Sequence, residues 1–93
     1  MFVVMAFVKP NAGREEELAY RMRSFRSVVQ TQSGLVKTLV LKERDSETLV
    51  GVSMWTNEAS YKSSMANLQA PAPSTSPERL RENPPLMREF FEI

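Results

Sequence analysis

The chain contains no cysteine and no histidine. Without cysteine there are no disulfides, no thiolate nucleophile and no iron–sulfur ligation, and zinc sites of the Cys/His type are excluded. Without histidine the usual axial ligand of haem and the commonest general base are also missing. The charge is balanced as well, with 12 basic against 11 acidic residues and no block of like sign. Neither nucleic acid nor a membrane is therefore an expected partner. No run approaches the roughly 20 apolar residues that span a bilayer. The apolar N-terminal run lacks a basic flank and leads into KPNAGREEE rather than a small-residue cleavage site, so it does not read as a signal peptide. A cytoplasmic location is the expectation.

What is present is ordinary for a globular protein. Hydrophobic residues make up 42% of the 93, enough for one packed core in a single domain over 1–93. Phe2–Val8, FVVMAFV, reads as a strand, and because a strand sends alternate side chains to opposite faces it is apolar on both. From Arg14 the period changes. Leu18, Met22, Phe25 and Val29 form one helical stripe, with Glu15, Glu16 and Glu17 at the positive end of its dipole. Gly34 suits the left-handed residue that closes it. LVKTLVLKE over 35–43 and TLVGVSMW over 48–55 predict a hairpin across RDSE. Asn57 is expected to cap a second helix with the stripe Tyr61, Met65 and Leu68. A proline-rich loop over 70–77 follows, with a helical turn starting at Ser76, Pro77 and Glu78, and a last strand over 86–93.

The order strand–helix–strand–strand–helix–strand predicts an α+β, ferredoxin-like βαββαβ fold. Its four-stranded antiparallel sheet has both helices on one face. The strands are apolar at both parities, so the helix-free face predicts a homodimer through the sheet. In Phe2–Val8 either parity can face the helices.

Gly51, Ser53 and Trp55 share one face of the third strand and can line a cavity, since glycine and serine leave room beside an indole. Val50, Val52 and Met54 share the other face and read as core under the helices. Trp55 can equally be a packing anchor with its N–H on a backbone carbonyl, Asn57 only a cap, and Tyr61 only core. Met5, Phe7, Met22, Phe25 and Met54 can form an adaptable apolar wall or ordinary core. Tyr20, at the edge of its helix stripe, is expected half-buried. Arg14, Arg21, Arg23 and Arg26 read as solvated helix charges, one of which can grip an acidic substrate at a cavity rim.

The sequence resembles the antibiotic biosynthesis monooxygenase family, within the dimeric α+β barrels. The resemblance rests on FVVMAFVKPNAGREEE and on QSGLVKTLVLKERDSETLVGVSMWTNEASY, in which Trp55 is followed by Thr56-Asn57-Glu58-Ala59. It implies a homodimer whose sheets pack face to face, with cavities between sheet and helices or inside the barrel. It also implies cofactor-independent monooxygenation of a small aromatic, quinol- or polyketide-like substrate. Trp55, Asn57 and Tyr61 are the expected catalytic residues. Met5, Phe7, Met22 and Phe25, together with Ser53, Met54 and Met65, are the expected substrate-binding residues, with no metal and no cofactor. The alternative is a non-catalytic homodimer of the same fold that binds a small molecule or is stress-associated. Haem-degrading members carry an asparagine in the first strand, a helix tryptophan and a histidine after the second helix. This chain has none of these in place, so haem degradation by that route is not expected.

Overall fold

Phe2–Val8 forms the strand that organises the sheet. In the computed structural model, which describes residues 1–68 and 84–93, the elements are β1 (Phe2–Val8), α1 (Glu15–Val29), β2 (Leu35–Lys42), β3 (Leu49–Trp55), α2 (Glu58–Asn67) and β4 (Leu86–Phe91). All pairings are antiparallel, in the order β2-β3-β1-β4. The α+β ferredoxin-like arrangement expected from the sequence is the one observed. The expected loop over 70–77 and the turn at Ser76, Pro77 and Glu78 lie outside the described residues.

The register decides which parity faces the helices. Phe2 pairs with Trp55 and Val8 with Leu49, so these four share a face with Val4, Ala6, Gly51 and Ser53. At one end Phe2, Val4 and Trp55 pack with Val29 of α1 and with Tyr61, Met65 and Leu68 around α2. At the other, Val8 and Leu49 pack with Leu18 and, beside it, Met22. The expectation for β3 is thereby reversed. Val50, Val52 and Met54 lie on the helix-free face, opposite Phe7, Met5 and Val3. Both parities of β3 are apolar, so pattern alone does not choose. The choice falls to the pair of bulky anchors, Leu49 and Trp55, that seat the two helices.

The smallest extent of the molecule is 18 Å, one sheet plus one helix layer. Register places Met5, Phe7, Leu39, Leu41, Val52 and Met54 together on the other sheet face, where Val52 is buried between its neighbours and Leu41, with Leu86 and Phe90 of β4, is about half exposed. The charged members of that face, Lys37 and Arg88, sit on the edge strands. Tyr20 departs from expectation and is 66% exposed, because α1 contacts the sheet along the Leu18–Met22–Val29 line and Tyr20 falls outside it.

Gly34 fixes how the turn after α1 meets α2. Its φ is +86°, and its carbonyl accepts a 2.9 Å hydrogen bond from the Thr56 amide. A Cβ there would lie 2.5 Å from the Ser60 Cβ. Only glycine supplies both the left-handed backbone and the clearance.

Candidate functional site

Along the helix-facing side of β1 and β3 the side chains are large at both ends and small in the middle. Phe2 and Trp55 stand at one end and Val8 and Leu49 at the other, while Ala6 faces Gly51 and Val4 faces Ser53 between them. The ends hold α1 and α2 up like pillars, and the small residues leave space beneath. The result is a cavity of about 340 Å³, within the size range of small-molecule pockets. Its floor is Val4, Ala6, Gly51 and Ser53, extended by Thr38 and Val40 of β2. Met22, Phe25 and Val29 of α1 and Tyr61 and Met65 of α2 form the roof. The Met22 methyl would lie 3.3 Å from a Cβ on Gly51, so the missing side chain is the space that Met22 overlooks. Phe25 and Met87 line the cavity and are about half exposed, which places them at its opening.

The polar side chains among the described lining residues are few, and all can donate a hydrogen bond. Thr38, Ser53 and Tyr61 contribute hydroxyls, and Arg21 and Arg26 contribute guanidinium groups. No carboxylate is among the described lining residues. Trp55 lies below the cavity, fully buried, and its Nε1–H donates to Ser53 Oγ at 2.9 Å. This is the packing-anchor role with a different acceptor, a serine hydroxyl instead of a backbone carbonyl. With its oxygen accepting from the indole, Ser53 keeps its own O–H as a donor. Tyr61 leans on Trp55 edge-on at 5.7 Å and on Phe2 at 5.4 Å, which fixes its ring.

Burial, with the negative charge of Glu89 adding to it, pushes the Tyr61 phenol above its ordinary value of 10.0. It therefore stays protonated at neutral pH, a hydrogen-bond donor and not a base. A phenol whose folded value is raised contributes stability fully present below the unfolded value and lost as pH rises through the folded one. Alkaline unfolding followed by circular dichroism is expected to show a loss of stability beginning near pH 10, shallower in Tyr61→Phe.

The structure brings together Met22, Phe25, Ser53, Tyr61 and Met65 of the sequence-expected set. It does not bring in Met5, Phe7 and Met54, which lie on the helix-free face. Asn57 is exposed, does not line the cavity, and accepts the Ser60 amide at 2.8 Å as the cap of α2. Asn57→Ala is expected to cost about 1 kcal/mol of stability. Ligand affinity measured by calorimetry is expected to stay unchanged. Ala6, Thr38, Val40 and Met87 line the cavity without having been singled out as binding residues, and of the four arginines considered for a cavity rim, Arg21 and Arg26 line it. For Ala6 the signal was available, since it is the one small residue in a strand of larger ones. For Thr38, Val40 and Met87 it required the register of β2 and β4. The described residues hold no cluster of acidic side chains able to bind a metal ion.

A four-stranded antiparallel sheet carrying two helices over a ligand-sized apolar cavity defines a ferredoxin-like α+β protein with a helix-side pocket. The sequence profile of the antibiotic biosynthesis monooxygenase family matches residues 1–71, and the chain belongs to that family. Solved structures share the fold at low identity. Protein PA3566 of Pseudomonas aeruginosa superposes with a TM-score of 0.80 at 14% identity, covering 99% of this chain and 93% of its own. An antibiotic biosynthesis monooxygenase gives 0.74 at 8% identity, covering 100% and 99%. A mutant of MhuD with two manganese protoporphyrin IX bound per active site gives 0.76 at 16% identity, covering 100% and 95%. Comparison with curated protein sequences finds no match. No helix among the described residues is long and apolar enough to cross a membrane.

Proposed function

We propose that this protein is a cofactor-independent monooxygenase acting on a small aromatic, quinol- or polyketide-like substrate in the helix-side cavity. The observation that carries the reading is the cavity itself, an apolar space of about 340 Å³ whose described polar side chains can all donate hydrogen bonds. Such a substrate supplies its own electrons. An anthrone-type methylene, once deprotonated, is a carbanion that can add to dioxygen. Collapse of the peroxide then leaves one oxygen as a ketone, and the other departs as water with both methylene hydrogens.

The chain contributes a dry site and an orientation, together with donors for the enolate oxygen. Ser53 and Tyr61, with Thr38 beside Ser53 on the floor, are the donors. Trp55 acts by holding Ser53, and Met22, Phe25 and Met65 shape the space around the ring system. No histidine base is present, so the proton of the acidic methylene or phenol passes to solvent water at the cavity opening.

The functional unit is a homodimer joined through the helix-free sheet face. Exposed apolar residues such as Leu41, Leu86 and Phe90, beside the half-buried Met5, Phe7 and Met54, are rarely left in water together on a monomer. Light scattering is expected to return twice the protomer mass.

Oxygen consumption with anthrone and with 1,4-naphthohydroquinone tests the activity, product being identified by mass. Uptake above the uncatalysed rate, lost when Gly51→Leu fills the cavity, is the expected result. Uptake equal to autoxidation with both substrates defeats the oxygenase reading. The second reading is a non-catalytic binder of the same small molecules. It is favoured by the raised phenol of Tyr61 and by a wall without carboxylate among its described residues. It predicts ligand-dependent thermal stabilisation without product.

A further inference from the structure

We propose that the ligand of this cavity carries an anionic oxygen, a carboxylate or an acidic phenolate on an aromatic body, and that Arg26 is the group that receives it. The inference rests on the cavity being a ligand site, and it names the chemical class of that ligand.

Arg26 lies one helical turn beyond Met22, whose methyl overlooks Gly51, so its position on α1 is over the cavity instead of on the outer face. Its Nε is buried and has no hydrogen-bond partner among the described residues. A guanidinium cannot relieve this by losing its proton, because it stays charged at any pH at which the protein folds. A buried, unpartnered N–H on a cationic side chain that lines an apolar cavity calls for an acceptor, and a carboxylate or phenolate oxygen is the strongest one available.

The rest of the wall agrees. The hydroxyls of Thr38, Ser53 and Tyr61 can all donate, and Ser53 already has the Trp55 indole on its oxygen. Arg21, by contrast, already has an interaction partner. The nearest acidic residue by register is Glu89 of β4, opposite Val4. It acts on Tyr61 electrostatically but is not part of the lining. Among the described residues, the lining therefore brings positive charge and donors to the cavity and no carboxylate. The apolar remainder, built from Val4, Ala6, Met22 and Val40, suits a flat hydrocarbon body.

The test is calorimetric titration of the whole protein with 2-naphthoate and its neutral isostere 2-naphthamide at pH 7. Naphthoate is expected to bind at least about tenfold more tightly, the scale of one charge-assisted hydrogen bond. Arg26→Met, which keeps the apolar stem, is expected to abolish that preference and to leave naphthamide affinity within about twofold. Arg26→Lys, which keeps the charge without the Nε–H, is expected to restore it in part. Equal affinities for the two probes in the unmodified protein overturn the proposal, with no variant needed. An equal loss for both probes in Arg26→Met overturns it too, as does no binding of either probe at millimolar concentration. Failure of the oxygenase reading is distinguishable: oxygen uptake stays at the uncatalysed rate while the naphthoate preference persists.

Discussion

Replacing Trp55 by alanine is expected to lower the unfolding free energy by about 3–5 kcal/mol, the range for deleting a buried aromatic from a core. Small domains hold only about 5–15 kcal/mol in total, so the variant is expected to be partly unfolded near body temperature. The size of the effect follows from the position. Trp55 is the end pillar of β3, with no exposed surface, packed with Phe2, Val4 and Val29 and supporting Tyr61 edge-on. Its loss removes one of the two supports that hold the helices off the sheet, and it frees the Ser53 hydroxyl that its indole orients. Urea unfolding followed by circular dichroism measures the change as a shift in midpoint at constant slope. Trp55→Phe is expected to lose far less, since most of the packing survives. A loss under about 1 kcal/mol in Trp55→Ala would contradict the pillar role.

The second large effect is expected at Gly34. Gly34→Ala forces a side chain into left-handed backbone and puts its Cβ 2.5 Å from the Ser60 Cβ, a contact that is not tolerated without movement. The backbone alone costs roughly 1–2 kcal/mol and overpacking roughly 1–3 more, so about 2–5 kcal/mol is expected. The two effects of glycine can be separated. Ser60→Gly in the Gly34→Ala background relieves the clash but not the backbone strain, and is expected to recover the overpacking part. Gly13 is the control. It too has positive φ, at +77°, but a Cβ there meets nothing within 4 Å, so Gly13→Ala is expected to show the backbone cost alone. Thermal unfolding of the four proteins measures both contributions.

The element order was readable in the sequence because each element carries its own signal. The Leu18–Val29 stripe, the Asn57 cap and the β-rich runs on either side of RDSE all appear within a few residues of their expected places. The faces were not readable. FVVMAFV and LVGVSMW are apolar at both parities, and a pattern without alternation gives no direction. The structure assigns Phe2, Val4, Ala6 and Val8 to the helices and leaves Val3, Met5 and Phe7 to the other side.

Half of the cavity was legible for a related reason. The small-small-large set of Gly51, Ser53 and Trp55 marks a low place in the sheet. It becomes a cavity only because Ala6 pairs with Gly51 and Val40 flanks it from β2. Register is a long-range property that local pattern does not supply. Arg26 illustrates the same limit from the helix side. Among four arginines it reads as a solvated charge or as one of four candidates to grip an acidic substrate, and only the seat of α1 on the sheet puts its Nε indoors.

The central claim is that ligand binds between helices and sheet, and the methionines report on it from both sides. Met22, Met65 and Met87 line the cavity, whereas Met5 and Met54 lie on the helix-free face. Methyl NMR of protein labelled at methionine, titrated with 2-naphthoate, therefore separates the two locations in one experiment. The account predicts that the Met22, Met65 and Met87 methyl signals shift while those of Met5 and Met54 stay in place. Shifts confined to Met5 and Met54 would place the ligand on the other side of the sheet and contradict it.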